Sequence, residues 1–150
     1  MIMLWESLGA FVAIFGFAIF LGVPKKYLPI CGIDGAIGWF VYLLVEKQTQ
    51  STIIASFVGA VVISIGAHIC ARAWKKPVTI FLLPANMTIV PGAGMYRIVY
   101  SIIQSNEEMT GYYFSQTLQI AGMIALAMFI VSSIWAILMN GIQAIKGKKE

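Results

Sequence analysis

Long stretches in which almost every residue is apolar leave this chain few ways to fold. Runs at about 2–23, 30–45, 52–71, 78–103 and 112–140 are separated by short polar or basic links, and only Glu6, Asp34 and Arg97 place a charge inside them. The hydrocarbon layer of a bilayer takes ~20 apolar residues per helix, and lipid satisfies no backbone hydrogen bond, so a spanning segment must be a helix or a closed barrel. The pattern predicts an all-α, polytopic membrane protein: one integral membrane domain over 1–150 with five transmembrane helices, the fourth broken by Pro and Gly.

Composition narrows the function. Hydrophobic residues make up 60% of the 150 and charged residues 11%, against about a quarter charged in an ordinary globular domain. That excludes a soluble enzyme, a nucleic-acid binder and a disordered tail. Five spans leave only about 50 residues for links and tails, too few for a catalytic domain outside the membrane, so any ligand site must lie within or between helices. No serine has a candidate base and acid, and there is neither a Gly-rich phosphate loop nor a ligand-spaced His/Cys cluster. The reading is a non-enzyme without cofactor or metal, with Cys31 and Cys70 as packing thiols.

The net charge of +4 is an orientation signal. Lys25, Lys26, Arg72, Lys75, Lys76, Lys146, Lys148 and Lys149 fall on one side of five crossings, Lys47 alone falls on the other, and Arg97 is embedded. Since Lys and Arg accumulate on the cytoplasmic face, the N-terminus is expected outside the cytoplasmic membrane and the C-terminus inside. A re-entrant fourth segment would erase most of this asymmetry.

The fourth run carries the strongest functional signal. Leu83-Pro84-Ala85-Asn86-Met87-Thr88-Ile89-Val90-Pro91-Gly92-Ala93-Gly94-Met95-Tyr96-Arg97 holds two prolines and two glycines, which free backbone groups that must then face protein, water or a ligand. A half-helix restarting at Gly92 would aim free N–H groups and a positive dipole end into the break, near the bilayer middle, as secondary transporters do toward a substrate carboxylate. Asn86, Thr88, Pro91, Gly92 and Gly94 are the candidate substrate residues, with Arg97 adding positive charge. The structural alternative is a kinked helix capped by its neighbours.

Two further residues are candidates for proton coupling or gating. Asp34 is a carboxylate inside the second span, amid Gly32, Gly35 and Gly38, whose spacing permits close helix approach; the alternative is an acid paired with Lys25 or Lys26. His68 ends the stripe Ser56, Ala60, Ser64, His68, and a histidine is the side chain suited to relay protons near neutral pH; the alternative is a histidine bonded to a neighbouring carbonyl. Cys31, Asp34, His68 and Cys70 share a depth, but His68 and Cys70 point to nearly opposite sides of one helix, which argues against a metal. Gln116, Gln119, Ser132, Ser133 and Asn140 suit interhelical hydrogen bonds, and Glu6 or Glu46 could neutralise Arg97.

Val23-Pro24-Lys25-Lys26, Gly35-Ala36-Ile37-Gly38-Trp39 with Tyr42, Ala71-Arg72 to Lys75-Lys76-Pro77 with Phe81, and Leu83-Pro84 through Val90-Pro91-Gly92-Ala93 with Tyr96 together resemble the small membrane subunit of the threonine/serine exporter family. Ala85 and Thr88 stand where that pattern usually has glycine and proline. The resemblance implies export of threonine and serine, or of dicarboxylates such as succinate in two-chain systems, driven by the proton gradient. It also implies a larger membrane subunit as partner, with a homo-oligomer as the alternative. From another class, the rival is a non-transporting scaffold for a partner transporter. Cysteines placed at Ser7 and Lys149 are expected to react with membrane-impermeant reagent from opposite faces; labelling of both from one face would reject the five-span topology.

Overall fold

A computed structural model describes residues 2–146, with side chains described within 3–139. Among the described residues every element is helical: α1 (Ile2–Phe20), a 3-10 turn (Lys25–Tyr27), α2 (Leu28–Thr49), α3 (Thr52–Trp74), α4 (Thr79–Asn86), α5 (Gly92–Ile103) and α6 (Glu107–Lys146). Four are long and apolar enough to cross a membrane, over Met3–Phe20, Lys25–Thr49, Thr52–Trp74 and Glu107–Met139. The 78–103 run instead forms the two short helices α4 and α5.

Local chemistry sets these boundaries. After α1 the chain turns through Gly22 at φ +72°, a conformation open to glycine without cost, and Pro24 holds the extended backbone that leads into the 3-10 turn. Gln50 in the left-handed region ends α2. Ser51 then starts α3, its hydroxyl accepting from the Ile54 N–H at 3.5 Å. Pro84 does not break the fourth segment, contrary to expectation, but lies inside α4. A proline there leaves the carbonyl four residues earlier without its N–H, and Cys31 of α2 donates its thiol to that Ile80 carbonyl at 3.5 Å.

α3 is the centre of the bundle, packed on α2, α4 and α6. Its buried residues, Ala55, Ser56, Gly59, Ala60, Ile63, Ser64, Ala67 and Ala71, are nearly all small and occupy two faces, so neighbours approach its backbone from both sides. A methyl group at Gly59 would sit 3.3 Å from the Gly38 carbonyl oxygen and 2.8 Å from Ile89. One at Gly38 would strike Ile63, and one at Gly66 would strike the Asp34 carboxyl. α6 meets the core with Thr117, Ile120, Ile124, Ala127 and Val131, the three-and-four spacing of one helix face.

The contacts also fix direction. His68 meets Ser132 and Arg72 meets Met139, so α3 and α6 run parallel. Gly38 lies on Gly59 and Asp34 on Gly66, making α2 antiparallel to α3. α4 follows α2, with Ala85 against Gly35 and Ile89 against Gly59. α5 packs on α6 in the opposite sense, Gly94 facing Thr117 and Ser101 accepting from the Thr110 hydroxyl at 3.0 Å.

Overfilling a close-packed site costs ~1–3 kcal/mol. Gly59→Val is therefore expected to lower the melting temperature of the purified protein, whereas Gly16→Ala inside α1, where a methyl meets nothing within 4 Å, is expected to keep or raise it, because alanine is favoured over glycine within a helix by roughly 0.5–1 kcal/mol. Equal melting temperatures for the two variants would contradict this packing.

Candidate functional site

The residues between α4 and α5 form the site's outer half. α4 ends at Asn86, and residues 87–91 pass through turns before α5 restarts at Gly92. Asn86 is buried, its Nδ2–H donating to Met128 Sδ of α6 at 3.1 Å while Oδ1 has no partner among the described residues. Thr88 is half-buried and donates to the Ala85 carbonyl at 2.9 Å. Its side chain lines a groove of about 340 Å³ with Glu6, Gly9, Ala10, Ala13 and Trp39.

At the restart, Pro91 precedes the first helical residue without a side-chain cap. The Gly92 N–H turns to the Val90 carbonyl at 2.7 Å and the Met95 N–H to the Pro91 carbonyl at 3.1 Å. A helix leaves its first-turn donors without internal partners, and here those are the N–H groups of Ala93 and Gly94. Gly92 is exposed, and a methyl placed on it would meet nothing within 4 Å. The backbone at the start of α5 is therefore approachable from outside the bundle.

Depth differs from the sequence expectation. Ile89 already meets Gly59 near the start of α3, so Gly92 lies toward the N-terminal end of α3 rather than at mid-depth. Residues 87–91 keep advancing along the bundle instead of folding back, which carries the restart past the middle. Arg97 is exposed, with its guanidinium 5.8 Å from the centroid of the Tyr113 ring. Tyr113 precedes Ser132 by ~28 Å of α6 at 1.5 Å per residue, which puts Arg97 level with the start of α3 and not midway along the bundle. Gly94 faces Thr117 and seats α5 on α6.

The inner half is Asp34. Its side chain is 7% exposed, lies against Gly66, and its Oδ2 has no hydrogen-bond partner among the described residues. The alternative reading, an acid paired with Lys25 or Lys26, is thus not what holds Oδ2. His68 lies elsewhere: two residues beyond Gly66 it points to the other side of α3, with Nε2 and Ser132 Oγ 3.2 Å apart and its ring stacked on Trp135. The structure brings Asn86 to the bundle centre with Asp34 but does not bring His68 there.

Several sequence readings are redistributed. Glu46 accepts from Tyr42 and Thr52 at 3.0 and 3.2 Å, and Glu6 lines the Thr88 groove, so neither is placed on Arg97. Gln119 donates to Ser115 in its own helix, and the side chain of Asn140 lies outside the described residues. Among the described residues no three His, Cys, Asp or Glu side chains gather as metal ligands. A larger groove of about 530 Å³ between α1 and α2 is lined by Leu4, Ser7, Leu8, Phe11, Ile33, Ala36, Ile37 and Phe40, a surface for acyl chains rather than a polar solute. Gly66, Met128 and Thr117 were missed by sequence reasoning. Gly66 alone left a signal there, since it follows Gly59 by two helical turns.

No solved structure matches this chain. Over 103 residues it is 29% identical to an uncharacterised protein of Haemophilus influenzae, a match that covers 68% of this chain and 34% of that one. The chain thus spans about a third of the length of the curated relative it matches. The family model described as Threonine/Serine exporter, ThrE, matches residues 6–134, nearly the whole apolar region. A transport family, a bundle of apolar helices and a segment split into two short helices agree with one another, and the chain belongs to the threonine/serine exporter family.

Proposed function

We propose that this chain is one half of a secondary exporter for small carboxylate-bearing metabolites, threonine and serine or a dicarboxylate such as succinate, driven by the proton gradient. A larger membrane subunit of the same family completes it. The observation that carries the reading is the open backbone at the start of α5: free N–H groups and a helix N-terminus suit a carboxylate, and Gly92 lets it approach. A spanning protein cannot leave such groups to lipid, so a substrate path and a partner surface meet there. The longer relative supports a partner in place of a second copy.

α4 and α5 together serve as the fifth crossing. With Arg97 at the rim, the crossing runs over residues 79–97, through α4, the advancing turns and the first half of α5, and its length of ~28 Å at 1.5 Å per residue is close to a ~30 Å hydrocarbon layer. Their contacts advance steadily from Gly35 and Gly59 to Thr117 and Thr110. With Arg97 counted at the rim, the cations still divide eight against two, which supports a cytoplasmic C-terminus in the cell membrane.

In this scheme Thr88, Pro91, Gly92 and Asn86 line the substrate's route and Gly94 fixes α5 beside it. Arg97 draws anions to the mouth. Asp34 carries the coupling proton, and His68, across α3, gates the α3–α6 contact. A scaffold role is the second reading, favoured by the exposure of Gly92 at the edge of the bundle.

Loss of N–H contacts to a charged group costs ~1.5–3 kcal/mol each. Gly92→Leu is accordingly expected to cut threonine or serine export by roughly tenfold or more while membrane insertion and assembly with the partner stay intact. Unchanged export in an assembled complex would support the scaffold and reject the half-helix site.

A further inference from the structure

Two buried side-chain oxygens have no hydrogen-bond partner among the described residues, Oδ2 of Asp34 and Oδ1 of Asn86. Their side chains are 7% and 6% exposed. In a protein interior such atoms are exceptions that call for an explanation.

Both lie in one slice of the bundle. Asp34 lies on Gly66 of α3. Asn86 donates to Met128, one turn before Ser132, and Ser132 marks the depth of His68 on the parallel helix α3. Asn86 is therefore level with Ser64, ~3 Å from the depth of Gly66 at 1.5 Å per residue. An independent contact agrees, because Gly35, next to Asp34, abuts Ala85, next to Asn86, where a methyl on Gly35 would sit 3.3 Å from the Ala85 Cα. The start of α5 is far from this slice. Gly94 is level with Thr117, ~17 Å along α6 from Met128, which Asn86 meets. One amino acid cannot reach both places.

Chemistry then selects the occupant. An ionised carboxylate and an amide oxygen are both pure acceptors, so neither can satisfy the other. A single added proton changes that: on Oδ2 it makes Asp34 a donor, and the Asn86 oxygen accepts. We propose that Asp34 and Asn86 together hold one transferable proton, with the Met128 sulfur holding the Asn86 amide so that its oxygen is left for Asp34. The proposal deepens the exporter reading, on which its purpose rests, and moves Asn86 from substrate contact to coupling. When the proton leaves Oδ2 for an admitted water, a carboxylate and an amide oxygen face each other, and the Asn86 amide offers a donor only by turning away from Met128. Proton release is thus tied to a change at the α4–α6 contact, in the segment that carries the break.

Few other groups face Asp34. Cys31 on α2 and Cys70 on α3 are its titratable neighbours. α4 carries none, α1 carries only Glu6 near its N-terminal end, and His68 is turned to α6. In the 3-10 turn Tyr27 packs on Trp74 and Phe81, and Lys25 and Lys26 are exposed.

Infrared difference spectroscopy of the purified protein in lipid tests this without reference to transport. The expected result is a protonated-carboxyl C=O band that disappears in Asp34→Asn and moves to higher frequency in Asn86→Leu, with Asn86→Gln partly restoring it and keeping the test open should the leucine variant fold poorly. Absence of the band in the wild type, or a band unmoved by both Asn86 variants, would overturn the shared proton. In vesicles that hold this chain together with its larger subunit, Asp34→Asn is expected to lose proton-driven accumulation. If the wild-type pair moves no substrate while the band behaves as described, the exporter reading fails and the proton site stands.

Discussion

The whole arrangement depends on how closely α2 approaches α3. In a membrane, helix association gains little from hydrophobic burial, since lipid tails are as apolar as leucine, and close van der Waals contact has to replace it. Gly38, Gly59 and Gly66 supply that contact, each with an atom of the facing helix in the space where a side chain would stand, while Gly35 admits Ile14 of α1 and Ala85 of α4. The small faces of α3 then allow α4 and α6 to close on it from other directions. This packing buries a carboxyl, Asp34, and it gives α4, a helix of only 8 residues with a proline inside, a surface to dock on.

A second consequence concerns the backbone. α4 is held by the core and α5 by α6, so the turns between them join two differently anchored bodies. The Ile80 carbonyl freed by Pro84 is taken up by Cys31, whereas the first donors of α5 are left facing outward. One disruption is repaired inside the bundle and the other stays open at its surface.

Much of this was legible in the residues. Apolar run lengths gave the long helices, and the Gly spacing around Asp34 pointed to a close interface, because helical periodicity places every third or fourth residue on one face. The restart at Gly92 followed from Pro91 and two glycines. Depth was not legible: a sequence does not say that residues 87–91 keep advancing along the bundle, so Gly92 and Arg97 were expected deeper than they lie. Partners across helices were also hidden. Glu46 turns to Tyr42 and Thr52, and Asn86 to Met128, contacts set by helix rotation rather than by local pattern. Pro84 was misread because its cost inside a helix is offset by a thiol from a different segment.

On the proposed function this chain is half of a coupled exporter whose break is completed by a longer family member. Efflux of labelled threonine, serine and succinate from cells expressing this chain alone, the longer subunit alone, or both measures this directly. Only the pair is expected to export, and collapsing the proton gradient is expected to stop it. Export by either chain alone at the rate of the pair, or export by the pair that ignores the proton gradient, would contradict it.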